Sequence, residues 1–230
     1  MKKKRRKIIL VVLLVLLVGI VAFMNLKPDL KMLVEDNLSE LRSELFVGES
    51  ECYRCYIASG YREEPYNCDG VKNELVPFAV ISLRGKSGNI PSASYTLTVD
   101  DKEYVGQFEY DPYGSGLVVD AEVFVTSENA VKLCVTVNGK TEEVKLVSKS
   151  KDFKVKVDDV VNIICENKKE KLDELTSLRK LQAEIFIKIA TDNDFTFDKS
   201  YYYVCICDRN GNTYDFLVDV DSGNIVATKS

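Results

Sequence analysis

Seven cysteines are the residues of this 230-residue chain best suited to chemistry, and two of them form the C-x-x-C motif Cys52-Tyr-Arg-Cys55. In thiol oxidoreductases this motif opens a helix, whose N-terminus lowers the pKa of the first thiol. Here the motif is followed by Tyr56 and, farther on, by Gly60 and Pro65, a pattern typical of a strand and a loop. The surrounding sequence also lacks the βαβ pattern of thiol oxidoreductases. We therefore interpret the motif as a structural pair or as two packed thiols, with redox catalysis as the alternative.

The other cysteines offer a disulfide or, less readily, a metal site. The turn-rich stretch before Cys68 makes a disulfide of Cys68 with Cys52 or Cys55 the first candidate. Structural zinc takes four ligands, which Cys68 and the Cys205-Ile-Cys207 pair could help to supply, but the spacing is irregular. Cys205 and Cys207 lie two apart in an apparent strand, so they share a face and are expected to pack in the core. The disulfide candidates are therefore Cys52, Cys55 and Cys68, and we predict neither a metal nor a cofactor.

The chain contains no histidine. This excludes a Ser-His-Asp triad, a Cys-His pair and an HExxH zinc site. Carboxylate chemistry remains possible, and the available groups are Asp111, Asp120, Glu122, Asp219 and Asp221. Because the chain has 36 acidic residues, such groupings are common, and a solvated surface explains them. We predict a protein that is not an enzyme, with an extracytoplasmic carboxylate enzyme as the alternative.

The N-terminus predicts a membrane anchor. Residues 2–7 are all basic, and residues 8–26 form an apolar run broken only by Gly19 and Asn25. Roughly 20 apolar residues cross a bilayer as a helix, and flanking basic residues stay in the cytoplasm. The run is longer than the core of a signal peptide and lacks a good cleavage site. We predict a cytoplasmic basic tip (1–7), a transmembrane helix (8–26) and an extracytoplasmic remainder, which makes this a single-pass protein of the cell membrane.

The predicted extracytoplasmic part is acidic. Residues 1–26 hold six of the 31 basic residues and none of the 36 acidic ones, so the rest carries 25 bases against 36 acids, a formal net charge of −11. An acidic surface does not bind nucleic acid through a basic groove, and anionic lipid headgroups repel it. We predict a membrane contact through residues 8–26 and no nucleic-acid partner.

Leucine spacing predicts a helix directly after the anchor. Apolar residues recur at three- and four-residue steps from Leu30 to Leu45, Pro28 suits a first helical turn and Gly48 ends the pattern. We assign residues 27–48 to a juxtamembrane helix that packs its stripe on the rest of the protein. A dimeric coiled coil is the alternative.

Residues 51–150 have the period-two pattern of short strands. The predicted strands are Val76–Leu83, Ser94–Val99, Glu103–Tyr110, Gly116–Thr126, Val131–Val137 and Glu143–Val147, with a hairpin turn at Asn138-Gly139. This predicts an antiparallel β-sandwich. It resembles the immunoglobulin-like modules of bacterial surfaces in architecture but lacks the Cys–Trp–Cys signature of antibody domains.

Residues 151–230 are predicted to be α+β. Apolar residues at Leu175, Leu178, Leu181, Ile185 and Ile189 predict a helix over Glu170–Ala190, while Val160–Cys165 is ambiguous after the possible cap Asp158-Asp159. Strands at Tyr201–Cys207, Thr213–Asp219 and Ile225–Ala227 follow, with turns at Asn210-Gly211 and Asp221-Ser-Gly223. The predicted fold class is thus α+β: a transmembrane helix, an antiparallel sandwich, then a helix on a small antiparallel sheet.

The last 60 residues resemble the PepSY domain, which has a cystatin-like fold. The matching residues are Tyr202, Val204, Gly211, Tyr214, Val218, Asp219, Gly223 and Ile225. The family occurs on extracytoplasmic bacterial proteins, including peptidase propeptides and membrane-anchored regulators of wall synthesis, and it has no catalytic residues to transfer. The resemblance implies a non-enzymatic, membrane-anchored envelope protein that presents an interaction or regulatory module to an envelope partner.

Overall fold

The computed structural model describes residues 28–111, 116–191 and 199–229, and this part of the chain is mostly β: strands hold 55% of it and helices 15%. The α+β fold class with an N-terminal transmembrane helix is therefore wrong, because a single 13-stranded sheet runs through both regions that were assigned to separate folds. Residues 8–26, to which that helix was assigned, lie outside the described residues. Among the helices that are described, none has the length and apolarity needed to cross a membrane.

Three helices and a 3-10 turn accompany the strands of the described ranges. The helices are α1 (Leu30–Asp36), α2 (Val157–Asn167) and α3 (Lys169–Leu175), and the 3-10 turn spans Ser150–Asp152. The strands are β1 (Leu38–Glu49), β2 (Tyr53–Glu64), β3 (Glu74–Gly85), β4 (Ser94–Val99), β5 (Lys102–Gln107), β6 (Glu109–Tyr110), β7 (Leu117–Ala121), β8 (Val131–Val137), β9 (Lys140–Ser148), β10 (Thr176–Ser177), β11 (Lys180–Leu181), β12 (Ala183–Thr191), β13 (Ser200–Asp208), β14 (Thr213–Asp219) and β15 (Ile225–Lys229).

Strand β1 joins the two halves of the sheet because its two ends pair with different strands. Its residues Leu38–Leu41 run parallel to β12, whereas Phe46–Glu49 run antiparallel to β9. Along its other edge β1 pairs antiparallel with β2. The main order is β15-β14-β13-β12-β1-β2-β3-β7-β6, and the antiparallel series β9-β8-β4-β5 branches from β1.

In the described part of the chain, the branched sheet packs two large hydrophobic cores. The first lies between the helices and β12–β14, and its fully buried residues include Val34, Val160, Ile164, Ile185 and Val204. The second lies between β2–β3 and the β4–β8 layer, with side chains of both layers in contact. Burying one large aliphatic side chain stabilises by roughly 1.5–3 kcal/mol, so both cores contribute to holding β1 in place. The described helices pack on one face of β12–β14.

The helix predicted over residues 27–48 is wrong beyond Asp36. The Asn37 side chain donates to the carbonyl of Leu33 (2.8 Å), which caps α1. The chain then continues as the twelve-residue strand β1. Sheet pairing on both edges of β1 outweighs the helical leucine spacing.

The helix predicted over Glu170–Ala190 is wrong after Leu175. A tight hairpin, β10–β11, follows α3, and Ala183–Thr191 is strand β12. Ile185 and Ile189 are four residues apart, so they share a face in a strand as well as in a helix. Leu178, part of the predicted stripe, is 86% exposed in the hairpin turn.

Several elements predicted from the sequence are confirmed. Ser94–Val99, Val131–Val137 and Thr213–Asp219 are strands with the predicted bounds. Asn138 and Gly139 both have positive φ, as a type I′ hairpin turn requires. The ambiguous segment Val160–Cys165 lies within α2.

The β10–β11 turn carries avoidable strain. Leu178 and Arg179 have φ values of 49° and 64°, a conformation that favours Asn and Gly. We expect the double variant L178N/R179G to raise the free energy of unfolding by about 1 kcal/mol, measured by urea denaturation of the full chain in detergent. N138L, at the equivalent position of the β8–β9 turn, should have the opposite effect, and a lower midpoint for the double variant would contradict the argument.

Candidate functional site

The face of β12–β14 that points away from the helices carries the unusual side chains of this fold. Strand alternation places Phe186, Tyr203, Cys205 and Cys207 together on it. We call it the outer face. Part of it lies under residues 65–73, between β2 and β3, which we call the cover loop. The ring of Tyr66 in this loop meets that of Phe186 edge to face, with centroids 6.2 Å apart.

Glu40 is the centre of a buried ion cluster under the cover loop. Its carboxylate is fully buried and accepts from Arg42 Nε (2.5 Å), Lys188 Nζ (2.9 Å) and the Tyr66 hydroxyl. Lys188 also donates to the Tyr66 hydroxyl (2.7 Å). Burial opposes ionisation of Glu40, but the charges of Arg42 and Lys188 outweigh it, so the pKa of Glu40 lies below its ordinary value.

Glu184 and Glu63 form a second buried acidic group beside the first. Glu184 Oε1 accepts from Ser39 Oγ (3.1 Å), and Oε2 accepts from the backbone N–H groups of Asp69 (2.9 Å) and Gly70 (2.6 Å). Glu63 holds the other side of the cover loop by accepting from Asn67 and Asn73. Burial, together with the neighbouring Glu63 carboxylate, raises the pKa of Glu184. These two acids tie the cover loop to the sheet.

Two thiols lie beside Glu184. The sulfurs of Cys68, on the cover loop, and Cys207, on β13, and a carboxylate oxygen of Glu184 all lie within 4.8 Å of one another. The Cys207 thiol also contacts the carbonyl oxygen of Cys68 at 3.9 Å. Glu184 and Cys207 are buried, whereas Cys68 is exposed. The outer face therefore offers three potential metal ligands, one of which is open to solvent.

The structure places the other cysteines of the sequence analysis elsewhere. Cys52 is exposed just before β2, and a hydrogen bond with Glu142 raises its pKa. Cys55 lies in the second core, where burial raises its pKa. A redox nucleophile requires the opposite shift, and the C-x-x-C motif does not open a helix. The disulfide of Cys68 with Cys52 or Cys55 stays a prediction, but the thiol that the structure brings to Cys68 is that of Cys207.

The five carboxylates considered from the sequence are spread over the ends of β6, β7 and β14. Asp120 pairs with Arg62 (2.5 Å). Asp219 accepts from Ser222 in the β14–β15 turn, and Asp221 lies in the same turn, 3.9 Å from Lys154 Nζ. Glu122 is exposed after β7, and Asp111 follows β6. They form no shared group in the described ranges.

Beyond the cover loop the outer face opens into a groove next to β15. The groove has a volume of about 370 Å³ and is lined by Tyr203, Asp215, Leu217, Ala227 and Lys229, among others. Within the described ranges, Asp215 Oδ1 is buried and has no hydrogen-bond partner. Burial and the Asp215 carboxylate raise the pKa of the neighbouring Cys205 to about 12.

The sequence analysis missed the buried acids because they come from three distant segments. The parallel pairing of β1 with β12 places Ser39 and Glu40 beside Glu184 and Lys188. The available signal was the β-branched and aromatic run Ile185-Phe-Ile-Lys-Ile, which favours a strand. Interpreting this run as a strand would have placed Glu184, Phe186 and Lys188 on one face of the sheet.

Comparison with known proteins gives no relative: no family model, no curated protein and no solved structure matches the chain. The site is therefore interpreted from its own geometry.

Proposed function

We propose that this chain is a non-enzymatic, membrane-anchored protein of the bacterial cell envelope that binds an extended segment of another envelope protein. The basic residues 2–7 and the apolar residues 8–26 support the location, with the remainder outside the cytoplasm. The resemblance of the last 60 residues to PepSY modules supports a role in binding an envelope partner.

The observation that carries the binding proposal is the groove beside β15. Within the described part of the chain β15 pairs only with β14, so its other edge can accept an added strand. In this mode of recognition, main-chain hydrogen bonds provide affinity and pockets for alternate side chains provide specificity. A strand added to β15 would place alternate side chains beside Ala227 and Lys229, which line the near side of the groove.

Asp215 indicates the chemistry of the partner. An unpaired buried polar atom costs about 1–3 kcal/mol, and a hydrogen-bond donor from the partner would remove this cost. The net charge of −11 on residues 27–230 favours a partner segment that carries lysine or arginine. The buried acids Glu40 and Glu63 are held by groups of the fold itself, which supports a structural rather than a catalytic role for them.

Site-specific photocrosslinking in intact cells tests this proposal. A photoreactive residue at Ala227, which is exposed on β15 and lies opposite Leu217, should capture a discrete envelope protein, whereas one at Thr141, which is exposed on β9, should not. The variant D215A should reduce the Ala227 crosslink about tenfold. Because the Asp215 carboxylate also interacts with Tyr203 and Cys205, urea denaturation is used first to establish that the variant unfolds cooperatively. Identical products from the two positions, or a crosslink that is unchanged in D215A, would rule out the groove as the binding site.

A further inference from the structure

We infer that Cys68, Cys207 and Glu184 form a zinc site with an open fourth position. Two thiolates and a carboxylate are ligands that Zn²⁺ prefers, whereas Mg²⁺ and Ca²⁺ select oxygen ligands. The inference stands on the geometry of these three residues and does not depend on the proposed partner or on the location of the protein.

The spacing of the donor atoms fits a single ion. A tetrahedral zinc with Zn–S distances of about 2.3 Å places two sulfurs about 3.8 Å apart. The three donor atoms already lie within 4.8 Å of one another. Small side-chain rotations are enough to close the remaining difference, and Cys68, on the exposed side, leaves a path for the ion to enter.

The ligands are held in place by the surrounding structure. Ser39 and two backbone N–H groups of the cover loop fix the Glu184 carboxylate, as outer hydrogen bonds do in known metal sites. Gly70 fixes the cover loop against the β13–β14 turn: it has φ = +78°, and a Cβ there would lie 2.6 Å from the backbone nitrogen of Arg209. The loop thus presents Cys68 at a defined position above Cys207.

The local charge arrangement also favours a cation. Within the described ranges, Glu184 and Glu63 accept hydrogen bonds from backbone amides, Ser39 and Asn73, all of them neutral. The two carboxyl groups also interact with each other. Glu40, by contrast, has both Arg42 and Lys188. A zinc ion replaces two thiol protons, so the total charge of the site is unchanged. The positive charge, however, then contacts the Glu184 carboxylate directly.

Cobalt titration tests the site. The full chain is purified in detergent with a thiol reductant, stripped with a chelator, exchanged into chelator-free buffer and titrated with Co²⁺. We expect one equivalent to bind with thiolate-to-cobalt charge-transfer absorption and to be displaced by Zn²⁺. The variants C68S and C207S should each weaken binding at least about tenfold, and E184Q about tenfold. C134S removes a partly buried cysteine on β8 and should bind as the parent protein does.

Three results would overturn the inference: no saturable binding, binding unchanged in C68S, or a Cys68–Cys207 disulfide in protein whose free thiols were alkylated at cell lysis. Cys207 and Glu184 are buried, so their variants are interpreted only if they unfold cooperatively. C68S alters an exposed residue of the cover loop, and its binding decides the matter even if the buried variants do not fold.

Discussion

Replacing Gly60 with alanine is expected to lower the free energy of unfolding by about 3 kcal/mol, the upper end of the usual cost of overpacking. A Cβ at this position would lie 1.8 Å from the carbonyl oxygen of Leu41 and 2.9 Å from Cα of Arg42. Both are backbone atoms of β1, at the point where its register with β2 shifts between Arg42 and Glu44. A flexible side chain could move aside, but here a central strand must move.

The consequences should extend beyond the mutated strand because β1 contributes to both cores. Urea denaturation followed by far-ultraviolet circular dichroism measures the effect. The matched control is G106A on β5, where the three atoms nearest to the new Cβ all belong to the end of the Tyr95 side chain, the closest at 2.8 Å. That ring end can shift, so a loss below about 1 kcal/mol is expected. Equal losses of unfolding free energy in G60A and G106A would show that crowding against the β1 backbone is not the cause of the G60A effect.

The strands of the middle region could be predicted because local alternation and turn chemistry agree there. Strand β8 alternates buried and less buried residues, and Asn138-Gly139 supplies the positive φ values that the following turn needs. Its partner β4 alternates between more and less buried residues from end to end, and its other partner, β9, does so over most of its length. Hydrophobic pattern and turn therefore specify the same structure.

The N-terminal helix was overpredicted because a bulged strand can mimic helical spacing. Leu38 and Leu45 are seven residues apart, two turns of a helix, and both enter the first core. In a regular strand, residues an odd number apart face opposite sides. The register of β1 shifts between Leu38 and Glu40 and again between Arg42 and Glu44. These register shifts depend on which strands pair with β1, and the local spacing of leucines does not reveal that pairing.

The candidate site could not be predicted because its residues meet only through long-range pairing. Glu184 and Cys207 are opposite one another on β12 and β13. Cys68 reaches them only because the cover loop folds back over the sheet. The sequence analysis grouped Cys68 with Cys52 and Cys55 by proximity along the chain, whereas Cys55 belongs to the second core.

Replacing Glu40 with glutamine is expected to lower the free energy of unfolding by about 3 kcal/mol at pH 7. Glutamine keeps the size of the side chain but removes the charge, which leaves Arg42 and Lys188 without their shared carboxylate. Removing one partner of a buried ion pair costs about 3–5 kcal/mol. The lower end applies because Arg42 and Lys188 are partly exposed. The control E143Q breaks a Lys132–Glu143 pair in which both side chains are 55% exposed, and a change within about 0.5 kcal/mol is expected.

The pH dependence of stability separates the charge of Glu40 from its packing. The pKa of Glu40 is lowered in the folded protein, so its contribution to stability is fully present above the unfolded value of about 4.3 and is lost as the pH falls through the folded value. The parent protein should therefore lose more stability than E40Q between pH 6 and pH 3, and the two should converge in acid. The other ionisable groups are common to both proteins, so their effects cancel to first order in the comparison. A constant difference between the two proteins across this range would mean that the loss in E40Q does not come from the charge of Glu40, and the cluster under the cover loop would then not act as an ion pair.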